Sequence, residues 1–245
     1  MRIGTIVISG LMALSLFACS EDEPLLVESA VRPEFSFQVE DTMAKSVVES
    51  FQSGDQLGLC LMDASGNPYD GEADCFNAAY TLQSGGKWDP SRDIRLSSAQ
   101  GKVYAYYPYD ATLAADGLLT VTNGEELLLT RSAGTVSSSS PKAVIRLSHV
   151  MALLKFNISS DKGTVSRVRV RNLPLSASWC LWSGALSLDS ETTIMDIEDL
   201  GLLSTGIPVI PGKALEVMVY TDQGCFISKP GEVLQSGKIY TITLN

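Results

Sequence analysis

The chain has 245 residues, with 18 Lys and Arg against 28 Asp and Glu, a net charge of −10 and a single histidine. An acidic chain disfavours nucleic acid and anionic membrane as partners, because both carry the same sign of charge. The length suits two domains of about a hundred residues each, or one large β domain.

Met1 and Arg2 open the chain and are followed by an uncharged stretch from Ile3 to Ala18. A positive start and a short apolar run are the layout of a secretory signal, expected over residues 1–18. The run falls short of the roughly 20 apolar residues needed to span a bilayer. Leu16-Phe17-Ala18 then place apolar and small side chains ahead of the Cys19 thiol, a nucleophile able to take up acyl chains. Each buried methylene of such a chain contributes about 0.8 kcal/mol to membrane binding. Cys19 is therefore the expected lipidation site, with an ordinary signal peptide as the alternative. Residues 19–33, holding Glu21, Asp22, Glu23, Pro24 and Pro33, read as an acidic tether.

From Glu34 the texture becomes β. Phe35, Phe37 and Val39 alternate with Ser36 and Gln38, the period-two mark of a half-buried strand. Gln56 to Met62 is a second apolar run, closed by the turn-forming Asp63-Ala64-Ser65-Gly66-Asn67-Pro68. Further short runs follow at 102–107, 118–121, 126–130, 143–147, 151–158, 165–171, 207–210, 214–220, 225–228 and 238–244. Short runs between Gly, Pro, Asn and Ser turns, without long helical periods, predict an all-β protein built of sandwiches. The Ser-rich stretch 132–141 marks the expected boundary between an N-terminal domain, 34–140, and a C-terminal domain, 141–245. A long loop within one sandwich is the other reading of that stretch.

Cys60, Cys75, Cys180 and Cys225 remain once Cys19 is assigned to lipid. An even number in an exported chain permits disulfides, and the pairs Cys60–Cys75 and Cys180–Cys225 each fall within one expected domain. Buried free thiols are the alternative. Zinc is disfavoured, since no two cysteines stand at C-x₂₋₄-C spacing. Asp63, Ser65 and Asn67, running on to Asp70, Glu72 and Asp74, faintly suggest a calcium loop, but Pro68 stands where such a loop needs glycine. A solvated hairpin turn fits better. Arg167, Arg169 and Arg171, two residues apart, share one face of a strand, expected to be its wet face.

Tyr104 and Tyr106 are expected on one face of a strand and Tyr107 and Tyr109 on the other, with Pro108 ending it. Such tyrosines serve as core and rim, or as a platform on which a sugar ring stacks. His149, lying in an apolar strand, reads as a hydrogen-bonded core residue. No H-E-x-x-H, G-x-S-x-G or G-x-G-x-x-G is present and no second histidine could complete a triad, so no enzyme and no cofactor are expected.

Four stretches taken together resemble the fimbrillin family of Bacteroidetes, the Mfa-like subunits of type V pili. Phe51-Gln52-Ser53-Gly54-Asp55-Gln56-Leu57-Gly58 is similar to its F-x-x-G-D-x-[IL]-G. Asn77-Ala78-Ala79-Tyr80-Thr81 with Gly86-Lys87-Trp88 is similar to its N-x-x-Y-T…G-x-W. Val103 to Tyr109 is similar to its Y-A-Y-Y-P-Y strand, and Leu147-Ser148-His149-Val150-Met151-Ala152 to its F-x-H-x-[ML]-A. The Cys19 segment also resembles a lipoprotein box, and Ser20 to Glu23 the acidic tag of surface-exposed lipoproteins. The resemblance implies two transthyretin-like or Ig-like sandwiches in tandem, held at the outer membrane by lipid. It implies a protease cut after an arginine early in the first domain, and a neighbouring subunit's strand filling the groove so vacated. The interval between Val39 and Phe51 contains no arginine; Lys45-Ser46 stands in its place, and Arg32 is followed by proline. Lys45 is thus the expected processing site, or the subunit keeps its strand and remains as an anchor. The chain ends at its last core strand, which offers no spare extension to donate. Implied partners are other fimbrial subunits and the outer membrane. The alternative is a surface lipoprotein that binds a host glycan or protein without polymerising.

Overall fold

The computed structural model describes residues 31–40, 48–130 and 134–245. The signal segment, Cys19, most of the tether and Lys45 lie outside them. The first half contributes β1 (Glu34–Val39), β2 (Gln56–Met62), β3 (Ala78–Leu82), β4 (Trp88–Pro90), β5 (Gly101–Tyr107), β6 (Leu118–Val121), β7 (Leu128–Thr130) and β8 (Gly134–Val136). There follow β9 (Lys142–His149), β10 (Ala152–Ile158), β11 (Val165–Pro174), β12 (Ala177–Cys180) and β13 (Leu186–Leu188). The last strands are β14 (Thr192–Ile197), β15 (Ile207–Val209), β16 (Glu216–Thr221), β17 (Gly224–Ser228) and β18 (Ile239–Leu244). The chain is all-β, as its turn-punctuated runs predict.

The first sheet has the order β1-β9-β7-β5-β2-β3-β4, with β8 added on β5. All its pairings are antiparallel except that of β1, which runs parallel to β9 from Glu34 opposite Lys142 to Val39 opposite Leu147. Both faces of this sheet are buried, which is why β2 reads as a continuous apolar run. Leu57, Leu59 and Leu61 face a first core with Tyr69, Val103, Ile145 and Leu147. Cys60 and Met62 face a second core with Tyr106, Leu129, Met151 and Trp179. That second core is closed by a small sheet, β13-β12-β6, in which a strand of the first half pairs with one of the second. A third core lies between the sheets β15-β10-β18 and β14-β11-β16-β17 and holds Leu154, Val168, Val170, Val217, Val219 and Ile242.

Two expectations need correction. Residues 142–149, assigned from sequence to the second domain, are β9, which lies within the first sheet between β1 and β7. The Ser-rich stretch is not a free linker at that point: Gly134–Val136 pairs with β5, and the Ser137 and Ser140 backbones bond reciprocally at 3.1 and 3.0 Å in a tight turn. Serine suits both settings, so composition alone does not separate them. The chain passes between the two sets of strands at Val150-Met151, both buried in the second core.

The expected disulfides are also absent, and all four described cysteines are free. Alternation along β2 turns Cys60 to the second core, whereas Cys75 packs in the first core, on the other side of the sheet. Cys180 sits in the β13-β12-β6 sheet, and Cys225 on edge strand β17 of a different sheet.

Candidate functional site

β1 is an edge strand of the first sheet and the one strand in it paired in parallel. Its ladder partner is β9 alone, and its other edge has no partner among the described residues. Two backbone bonds extend the ladder, Glu34 N–H to the Pro141 carbonyl at 2.8 Å and Glu40 N–H to the Leu147 carbonyl at 2.7 Å. Side chains fasten both ends: Lys142 Nζ lies 2.7 Å from the Glu34 carboxylate, and the Ser148 hydroxyl donates to that of Glu40.

The inward side of β1 fills an aromatic groove. Phe35 meets Tyr80 with ring centroids 5.9 Å apart, and Phe37 meets Tyr80 at 5.5 Å and Trp88 at 5.1 Å, all edge-on. Phe51 continues the row, standing 5.3 Å from both Trp88 and Tyr107. Tyr80 is on β3 and Trp88 on β4, so the sheet curls until its two edge strands touch through their side chains. Beside this seam lies a cleft of about 760 Å³, lined by Pro33, Phe35, Tyr80, Lys87, Trp88 and Pro90 among others. Burying Phe37 fully, with Phe35 and Val39 in part, contributes on the order of 5 kcal/mol to holding the strand.

The sequence motifs explain how the groove is shaped. Gly54 takes φ of +96°, which closes the turn Gln52–Asp55 at no steric cost. The Asp55 carboxylate accepts the Gln52 N–H at 2.7 Å and the Tyr107 hydroxyl at 3.2 Å, so one side chain sets both the turn and a groove wall. Burial, followed by the nearby Asp55 charge, raises the Tyr107 phenol above its ordinary range. Gly58 faces Tyr106 across β2 and β5, and a Cβ there would sit 2.1 Å from Tyr106 Cε1. The bare backbone admits the ring, whose single hydroxyl hydrogen has two acceptors in reach, Asn77 Oδ1 at 2.7 Å and the Asp110 carbonyl at 2.8 Å.

The other expected residues fall as follows. Tyr106 is fully buried and Tyr104 is half-buried, edge-on to Trp182 at 5.2 Å. Tyr109, expected to share a face with Tyr107, instead packs on the second core, because alternation lapses once the strand ends before Pro108. His149 is buried, with Nδ1 3.1 Å from Oε1 of Glu126. The Asp63 carboxylate accepts the N–H groups of Ser65 and Asn67 at 2.8 and 2.9 Å, and these bonds, Asn67's first, hold it below the usual carboxylate range. Burial pushes the Cys60 thiol up to about 12. The Cys180 thiol is raised by burial but lowered on balance, because the Ser183 hydroxyl and the N–H groups of Ser183 and Trp182 bond to it. Sequence reading missed Phe51's place in the groove and the Glu40–Ser148 contact. The F-x-x-G-D spacing was the available signal for the first, and the second has none, since 108 residues separate the partners.

A family model described as fimbrillin-like matches residues 42–245. No curated protein matches the chain. Among solved structures, a protein assigned to cell adhesion from Bacteroides uniformis is similar at a TM-score of 0.66 and 17% identity, covering 88% of this chain and 93% of that one. A second such protein, from Bacteroides ovatus, is similar at 0.66 and 19% with the same 88% and 93% coverage. A fimbrial protein from Bacteroides ovatus is similar at 0.54 and 14%, over 88% of this chain and 49% of that one. These likenesses speak for the fold, and the family model covers all but the first strand and what precedes it. This chain belongs to the fimbrillin-like family.

Proposed function

We propose that this chain is a cell-surface fimbrial or adhesive subunit, held by lipid on Cys19, in which β1 is the strand exchanged during assembly. The observation that carries the reading is β1 itself, a parallel edge strand seated in an aromatic groove by three inward side chains. Filling an apolar groove and an unsatisfied sheet edge together is the physics of strand addition. A cut at Lys45 would release residues 34–39 while leaving Phe51, Tyr80 and Trp88 in place to receive a neighbour's strand. If no cut occurs, the subunit keeps β1 and serves as an anchor. Its work is binding and assembly rather than bond-breaking chemistry, in keeping with a sole histidine packed against Glu126.

Intact-mass analysis of the protein from outer membranes tests this. A product beginning at Ser46, with polymers that resist mild detergent, supports strand exchange. A product beginning at acylated Cys19 with no polymer supports the anchor or a non-polymerising adhesin and excludes a shaft subunit. Metabolic labelling with a fatty acid that leaves the chain unmarked would overturn the anchoring itself.

A further inference from the structure

Among the described residues, the outer face of the β14-β11-β16-β17 sheet has no layer over it. Register places Asp196, Arg169, Met218 and Ile227 in one outward row, and Ile194, Arg171 and Glu216 in the next. Arg167 and Tyr220 form a third, the guanidinium 4.3 Å above the ring. Ile194 and Ile227 are 52% and 57% exposed, so apolar side chains flank a ladder of arginines. Two carboxylates, Asp196 and Glu216, oppose four cations here: Arg169 lies 2.7 Å from Asp196, Arg171 3.1 Å and Lys229 2.6 Å from Glu216. The face is therefore basic on a chain of net charge −10.

The first half has the opposite sign. Residues 1–150 hold 19 Asp and Glu against 10 Lys and Arg, whereas residues 151–245 hold nine against eight. Asp70, Glu72 and Asp74 stand exposed on the short turns Tyr69–Gly71 and Ala73–Cys75, at the rim of a cleft of about 700 Å³. Of these three, Asp74 has Arg92 at 3.9 Å, while the neighbouring Asp93 is neutralised by Arg32 and Arg95. The field of the three reaches inward: Cys75 is pushed up to about 11, by burial first and then by Asp70, Glu72 and Asp74.

We propose that the outer face of the β14-β11-β16-β17 sheet docks against the Asp70–Asp74 rim of a second copy of this chain. Charge complementarity selects the occupant, since basic face and acidic rim lie on different sandwiches of one molecule. The contact joins unlike surfaces, so it orients copies head to tail and leaves a free face at each end. Opposed charges of this kind steer encounter and fix orientation more than they add affinity. The inference rests on the reading that copies of this chain assemble, but not on replacement of β1.

The test is sedimentation velocity on the full chain carrying Cys19→Ser, which removes any acyl contribution. Self-association is expected to weaken at least about tenfold between 50 and 500 mM salt, as charge contacts at a solvated interface are screened. Arg167→Glu with Arg171→Glu should abolish association, and so should Asp70→Lys with Asp74→Lys in a separate chain. Each variant leaves the other's surface intact and is checked for native circular dichroism. Mixing basic-face-reversed with wild-type chains should shorten the wild-type assemblies, because the variant keeps only its acidic rim and caps one end, and adding salt should dissolve them. A chain that stays monomeric at low salt, or an association indifferent to salt and to both reversals, overturns the proposal. Polymers that survive salt would speak for strand exchange and not for this contact, so the two readings fail separately.

Discussion

Phe37 of β1 stands edge-on to Trp88 of β4, ring centroids 5.1 Å apart, although five strands lie between β1 and β4 in the sheet order, so the sheet must curl back on itself to bring them together. The contact ties one edge of the first sheet to the other, joining two strands that each have a single ladder partner. Phe37→Ala should cost about 3 kcal/mol or more, the range for emptying a buried aromatic site. Denaturant unfolding measures it. A loss under about 1 kcal/mol would mean that the groove does not hold β1 in place.

Gly58→Ala places a methyl group where the Tyr106 ring lies, 2.1 Å from its Cε1. The ring cannot retreat without losing its bonds to Asn77 and Asp110, so a loss of about 3 kcal/mol is expected. Combining Gly58→Ala with Tyr106→Leu should cost clearly less than the two single changes added together, because they share one volume. Simple additivity across that cycle would show that the close approach is not what limits residue 58.

His149 and Glu126 form a buried pair at 3.1 Å. His149→Leu leaves the Glu126 carboxyl buried without its imidazole and should cost about 3 kcal/mol. His149→Leu with Glu126→Leu removes both polar groups and should recover most of that loss. Thermal or denaturant melting of the three variants decides it; a double variant as unstable as the sum of both singles would refute coupling.

Native thiol labelling should separate the cysteines by burial. Cys180 and Cys225 should react in the folded chain, while Cys60 and Cys75, at 0% and 2% exposure, should wait for unfolding. In a Cys225→Ser background the Cys180 rate should titrate below the usual thiol range, because Ser183 and Trp182 favour its thiolate over the opposing effect of burial. Recovery of a Cys60–Cys75 bridge from non-reduced peptides would contradict the arrangement.

Acid should weaken the third core's outer sheet. Arg169 holds the Asp196 carboxyl below its ordinary value, and Lys229, with Arg171, does so for Glu216. Both groups have depressed folded values, so their contribution is present above about pH 4 and is lost as pH falls through the folded values. The melting temperature of Asp196→Asn should therefore depend less on pH between about 4 and 2 than that of the wild type. An unchanged slope would show the pair to be energetically silent, as exposed pairs often are.

The parts of this fold legible in sequence were those governed by local rules. Phe35, Phe37 and Val39 announce β1 because an edge strand with one wet face must alternate, and Gly54-Asp55 announces its turn because few other pairs make one so readily. β14, with Thr192 and Asp196 on its exposed face and Thr193 at the start of its inward one, carries too little apolar signal to stand apart from a loop. Cysteine pairing was not legible, since adjacency in sequence says nothing of which side of β2 faces Cys75. The same holds for the domain boundary: the serines at 137–140 look alike in a linker and in a turn between paired strands.

The parallel ladders at the two ends of the chain have a mechanical consequence. β1 runs with β9 and β18 runs with β10, while β9 and β10 follow one another through two residues. Tension applied at the two termini pulls each terminal strand along its own axis against its partner, so each set of backbone bonds is loaded in shear and must yield together rather than unzip one by one. Such a connection resists pulling far better than peeling, a useful bias for any molecule tethered at one end and gripped at the other.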